Sequence, residues 1–268
     1  MGRAPAAAPA PYQCFDDPHD LLLTSALSVA YFALAFAASR ALTPLIAPVT
    51  YARLGKTRGQ CSYWDESVAS AANGLMAPVL AAVALWRAPS LMTSPDAFLC
   101  TPDSCRTVIY FMSWIVYDLL VMLWHIRDWP HTGAMMVHHV SAIAAWALYL
   151  EGGYGHAINL VGLLCELTGP TMNMRYFLSE AEMKSSTLYM VNGLAFVLVW
   201  LAVRILFAIP AGIFIIYNQH SSLLALPLWR HVCFALFFLV GCCLNCFWGQ
   251  KLLVGALKIL RPKKTKEA

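Results

Sequence analysis

Two adjacent histidines, His138 and His139, fall inside an otherwise apolar stretch, and so do Asp118, Glu166, Arg204 and Lys251 in stretches of their own. Such side chains cost roughly 2.5–3.5 kcal/mol each, for Asp, Lys or Arg at the centre of a membrane helix, so they face a bundle interior and mark function. Three chemistries use paired histidines. A zinc hydrolase helix wants His at i and i+4 with a Glu between. Neighbouring side chains point about 100° apart, so one ion cannot take both of these, and no metal is expected. A membrane di-iron centre needs many histidines on one face; of the eight here, His19, His156, His220 and His231 fall on the other. General acid–base work remains: one imidazole takes a proton from a nucleophile while Asp118 or Glu166 orients a ring. Acyl transfer from acyl-CoA to an amine fits. His138, His139, Asp118 and Glu166 are therefore the candidate catalytic residues. The alternative is a histidine pair hydrogen-bonded in the bundle without chemistry.

The stretch bearing Glu166 adds the substrate-side candidates. Asn159, Glu166 and Asn173 are spaced by seven, which puts them on one stripe of a regular helix. Gly169-Pro170 interrupts that helix just past Glu166, because proline removes a donor and frees a carbonyl one turn back. Irregular backbone at membrane depth survives only beside protein or a water-filled cavity. A polar cavity is expected here, with Asn159, Asn173, Arg175 and Asn245 as its substrate-binding residues. Counting helical rise from the end of its stretch puts Arg204 about 25 Å deep. It is expected to snorkel to the far side, outside the site.

The elements that must position these groups follow from composition. The chain has 268 residues, 60% hydrophobic and 12% charged, with a mean hydropathy of +0.62. Soluble domains carry about 25% charged residues, so a water-soluble enzyme and a disordered chain are excluded. A net charge of +4 without a dense basic face excludes nucleic-acid binding. The chain reads as an all-α polytopic membrane bundle of about seven helices, at 21–39, 66–86, 107–124, 134–150, 157–178, 187–217 and 228–256. Pro210 should kink or end the sixth. Arg40, Arg53, Lys56 and Arg58 on one side, against Asp16, Asp17, Asp20, Asp96, Asp103 and Glu151 on the other, predict a lumenal N-terminus and a cytosolic C-terminus. Residues 1–20 read as an Ala/Pro-rich, disordered lumenal tail, 21–59 as the first span and its loop, 60–256 as one domain of about six spans, and 257–268 as a basic tail. The first span itself targets the chain, with no cleaved signal peptide. Cys100 and Cys105 share a loop that an oxidising lumen permits to be bridged. Cys242, Cys243 and Cys246 read as packing residues. Lys264 and Lys266 resemble a dilysine retrieval signal, an address read by coat proteins, or else an ordinary basic flank. A retinal protein is disfavoured because Lys251 lies too near its helix end for a buried Schiff base.

Taken with Trp64-Asp65-Glu66-Ser67, Tyr117-Asp118-Leu119-Leu120, the His138-His139 pair, the run from Glu166 to Phe177, and Asn192-Gly193, the chain resembles the TLC-domain family over roughly residues 60–255. The resemblance is nearest to its short transmembrane members. It implies an endoplasmic-reticulum membrane location and a role in lipid metabolism or homeostasis. It also implies that His138 and His139 match the histidine pair of the ceramide synthases, acyl-CoA-dependent N-acyltransferases of sphingoid bases. Those enzymes continue to a His-Asp and a second Asp, where this chain has Glu166 and Asn173-Met174-Arg175. Two readings stay open: a ceramide-synthase-like acyltransferase, or a non-catalytic lipid sensor, cargo receptor or regulator of membrane composition. The expected partners are a membrane lipid or fatty acyl-CoA. No cofactor is expected beyond acyl-CoA as co-substrate.

Overall fold

Long runs of apolar side chains leave the backbone no water to bond, so each run closes its hydrogen bonds on itself as a helix. The computed structural model describes residues 18–129 and 132–260, and the secondary structure among them is helical throughout. The order is α1 (Pro18–Ile46), α2 (Pro48–Leu54), α3 (Gln60–Arg87), α4 (Ser90–Thr93), α5 (Pro102–Trp124), α6 (Thr132–Gly152), α7 (His156–Leu164), a 3-10 turn (Cys165–Thr168), α8 (Gly169–Glu180), α9 (Thr187–Trp200), a π-helical stretch (Leu201–Ala208), α10 (Ile209–Leu223) and α11 (Leu228–Leu260). Among the described residues, five rods are long and apolar enough to cross a membrane: α1, α3, α5, α9–α10 and α11. The 21 residues of α6 and the broken α7–α8 rod have the length to cross, at about 1.5 Å per residue. The tail calls at 1–17, and those on Lys264 and Lys266, lie outside the described residues.

The connections define two faces. One holds the start of α1 and the 88–101, 153–155 and 224–227 links. The other holds the 55–59, 125–129 and 181–186 links. The expected loop between the first two spans is mostly helix. α1 runs on to Ile46, and α3 starts at Gln60, so Asp65 and Glu66 lie inside α3 and are buried.

The core forms where α3 presents Ala69, Ala77, Ala81 and Ala84, all fully buried. Small residues let neighbouring membrane helices approach closely. On α1, Phe32 inserts against α5, 4.7 Å from the Trp114 ring and 5.3 Å from the Tyr110 ring. A close helix–helix approach is at Gly74. A Cβ there would lie 2.7 Å from Pro170 Cδ and 2.9 Å from the Glu166 carbonyl oxygen. Thus α3 is pressed onto the break between α7 and α8.

The irregularity expected at Pro210 takes the form of a π-helical stretch: Pro210 sits in the first turn of α10, after eight residues of π-helix. Its missing N–H leaves the Leu206 carbonyl without its usual donor, and a widened stretch absorbs the mismatch. Cys100 and Cys105 are not bridged to one another. Cys105 is a free, buried thiol, whereas Cys100 is in a disulfide. The reciprocal Thr101–Ser104 capping box starts α5 and commits Cys105 to its buried first turn. Cys243 and Cys246 are exposed on the outer surface of α11 rather than packed in a core.

Candidate functional site

His139 is held at both nitrogens. Nε2 lies 2.6 Å from Oδ2 of Asp118 on α5, and Nδ1 lies 2.8 Å from the Met135 carbonyl oxygen one turn back. A carbonyl only accepts, so Nδ1 carries a proton. Nε2 and the Asp118 carboxyl then share the next one. The ring is buried and has no nitrogen left for a substrate. Its neighbour is the opposite case. The His138 ring lies 5.6 Å from that of His139, at 83° to it. It is exposed, and among the described residues it has no hydrogen-bond partner. The angular step of the α-helix, about 100° per residue, sends one imidazole into the bundle and leaves the other open.

Behind Asp118 lies a second acid that sequence reasoning passed over. Glu66 on α3 is buried beside the Asp118 carboxyl. Its Oε2 accepts from the Tyr117 hydroxyl at 3.4 Å, while Oε1 has no hydrogen-bond partner among the described residues. One residue earlier, Asp65 accepts from Ser39 and Tyr51 at 2.7 and 2.9 Å and faces Arg40 at 3.5 Å. Outside the spans, burial and then the Asp65 hydrogen bond push the Tyr51 phenol above its ordinary pKa. Asp65 thereby ties α1, α2 and α3 together. The signal for both acids was the Trp64-Asp65-Glu66-Ser67 run, but treating it as a flank hid the burial.

His138 opens into a cavity of about 320 Å³ between α5, α6, α7 with its 3-10 turn, the π stretch with α10, and α11. Glu166, Asn159, Arg204 and Asn245 also line it. Glu166 Oε2 accepts from Asn73 of α3 at 3.4 Å. The remaining wall is apolar: Phe111, Ile115, Trp146, Tyr149, Phe237 and Phe238 among others. Apart from Asn159, in the first turn of α7 near the opposite face, the polar lining residues lie between mid-bundle and the face where α6 begins. His138 is about 9 Å inside that face by helical rise. His138 and Ser141 of α6 and Val240 and Leu244 of α11 line the cavity and are also exposed. The cavity therefore opens sideways between these two helices.

Arg204 was expected to snorkel away, and it does not. Its Nε and Nη2 donate to Thr168 Oγ1 at 3.2 and 3.0 Å, and its Nη1 donates to Asn245 Oδ1 at 3.1 Å. The guanidinium also lies 4.4 Å from the Trp200 ring centre. Depth counted along the chain misled, because Thr187–Leu223 is a 37-residue rod, longer than the roughly 20 residues a span needs. Its middle is therefore the middle of the bundle.

Of the substrate-side candidates, Asn159 and Asn245 reach the cavity, and Asn173 and Arg175 do not. Asn173 donates to Ser70 of α3 at 3.2 Å. Arg175 sits over the Tyr189 ring at 4.4 Å. The stripe fails because four residues of 3-10 turn intervene, each advancing about 120° instead of about 100°. That rotates α8 by about 80° relative to α7.

Compared with known proteins, residues 63–254 match the TLC-domain family model. A TLC domain-containing protein 4 A from Dictyostelium discoideum is 22% identical over 207 residues, 75% of this chain and 77% of the relative. TLC domain-containing protein 4 from Xenopus tropicalis is 25% identical over 236 residues, covering 83% and 88%. TLC domain-containing protein 4-B from Danio rerio is 26% identical over 210 residues, covering 75% and 76%. No solved structure gives a significant match.

Proposed function

The chain belongs to the TLC-domain family, and from that premise we propose that it acts on lipid in the membrane, transferring an acyl group from acyl-CoA to the amine of a sphingoid base. The observation that carries this reading is the division of labour in the histidine pair. His139 is locked on Asp118 and Met135, while His138, with no hydrogen-bond partner among the described residues, lines a largely apolar cavity.

The acyl chain lies among the aromatic and aliphatic walls, and its thioester carbonyl comes to the polar end. The amine nitrogen attacks that carbonyl and His138 takes the proton it loses. The C–N bond forms and the C–S bond breaks. The same proton then passes from His138 to the departing thiolate. The His139–Asp118 pair is a positioning device that holds the α6 backbone, and so His138, at the cavity mouth. Labelled acyl-CoA and a sphingoid base incubated with the purified chain should yield an N-acyl product by mass spectrometry. No product, with acyl-CoA still bound, would favour the second reading, a lipid sensor, cargo receptor or regulator of membrane composition. The sideways opening between α6 and α11 supports that alternative, since a lipid can enter there without reacting. The distribution of Arg40, Arg53, Lys56 and Arg58 supports a cytosolic placement of the His138 face. Lys264 and Lys266 support residence in the endoplasmic reticulum through coat-protein retrieval.

A further inference from the structure

Arg204 is a cation held at mid-bundle by neutral groups. Thr168, Asn245 and the Trp200 ring surround it, and no described carboxylate lies within ion-pair distance of it. Glu166, which shares the cavity, is engaged instead by Asn73. A guanidinium carries five donors, and the three printed bonds use Nε, Nη1 and Nη2 once each. Two N–H groups therefore remain for a ligand. Charges at membrane depth are normally paired; Glu166, the counter-charge in the same cavity, acts on Arg204 across it without forming an ion pair, so the guanidinium keeps N–H groups for an anion.

The cavity limits what that anion can be. Arg204 is the only Lys or Arg among the described lining residues, which suits one negative charge better than two. Carboxylate geometry matches the planar guanidinium fork. At about 320 Å³ the space lies near the bottom of the roughly 300–1,000 Å³ typical of ligand cavities. That is too small for a two-chain phospholipid or for the nucleotide part of coenzyme A. The aromatic walls beyond the polar end suit a single hydrocarbon chain.

We propose that this cavity binds a free long-chain fatty acid, with its carboxylate on Arg204 and its chain along Trp146, Phe237 and Phe238. The proposal rests on reading the cavity as a lipid site, but not on the transfer reaction. A site of this kind lets the free acid compete with an acyl thioester for the same space.

The test is equilibrium binding to the full chain in nanodiscs, comparing palmitate with the alcohol, the methyl ester and the alkyl phosphate of the same length. The acid should bind about tenfold or more tighter than the alcohol or ester, as expected for a charge-assisted contact. Arg204→Gln should remove that preference, while Arg204→Lys should keep part of it. Equal binding of acid and alcohol to the unsubstituted chain overturns the proposal without any variant, so a misfolded Arg204→Gln cannot obscure the result. Tighter binding of the alkyl phosphate overturns the assignment to a carboxylate. Acid-selective binding by a chain that makes no N-acyl product would sustain this site while sinking the transferase reading.

Discussion

His138 and His139 are one peptide bond apart and have different tasks, and substitutions should separate them. His139→Ala leaves Asp118 buried without its partner. Breaking a buried charged pair costs about 3–5 kcal/mol, so abundance in the membrane should fall. Asp118→Asn should act in the same direction, because an amide cannot share the Nε2 proton as a carboxylate does. His138→Ala removes an exposed ring with no described partner, so the protein should accumulate normally and lose its lipid phenotype. Immunoblots of membrane fractions beside lipid profiles check all three. Equal loss of abundance for both histidines would contradict the division of labour. The pair and the two acids were legible because ionisable residues in apolar runs stand out. Which imidazole is engaged was not legible: it depends on where α5 lies around α6, and one chain's spacing does not encode that. Arg204 was misread because its depth was counted from the end of a rod much longer than a span.

At the scale of elements, the site depends on two interruptions. Gly169-Pro170 announced the first, and the 3-10 turn (Cys165–Thr168) is where it falls. The phase shift it introduces was invisible to a count of sevens, and it explains why Asn173 faces Ser70 rather than the cavity. The second, the π stretch bearing Arg204, was signalled only by Pro210. Gly74 is the contact that seats the first break against α3. Adding a methyl there would place it under 3 Å from both Pro170 Cδ and the Glu166 carbonyl oxygen, so Gly74→Ala should destabilise by about 1–3 kcal/mol through overpacking. It should also displace Glu166. Thermal unfolding in detergent checks this, and a melting temperature equal to that of the unsubstituted chain would mean that the helices can separate at no cost.

For the whole molecule, the exposed ion pairs gather at the two ends of the bundle, outside the buried site. Arg106–Asp20, Arg87–Asp103 and Arg230–Glu151 pair at one face, and Arg53–Glu182 and Arg58–Asp128 at the other. Exposed pairs of this kind contribute little stability, but they mark where water begins. The Lys/Arg bias predicts which end is cytosolic. A glycosylation acceptor inserted beside Asp96 should be modified, and one beside Lys56 should not. The reverse pattern would turn the His138 face toward the lumen, away from cytosolic acyl-CoA. The all-α bundle and its five long apolar rods were legible from apolar length alone, while the cavity was not, because five separate segments close it.

The central claim is that the cavity beneath His138 holds an acyl chain. A photoactivatable fatty-acyl probe, crosslinked in native membranes and mapped by peptide mass spectrometry, tests it most directly. Label should fall on Trp146, Tyr149, Phe237 and Phe238, and excess palmitate should compete it away. Label confined to the outward side chains of Leu34, Leu120 and Leu206, and unaffected by competitor, would mean that lipid only surrounds this bundle and never enters it.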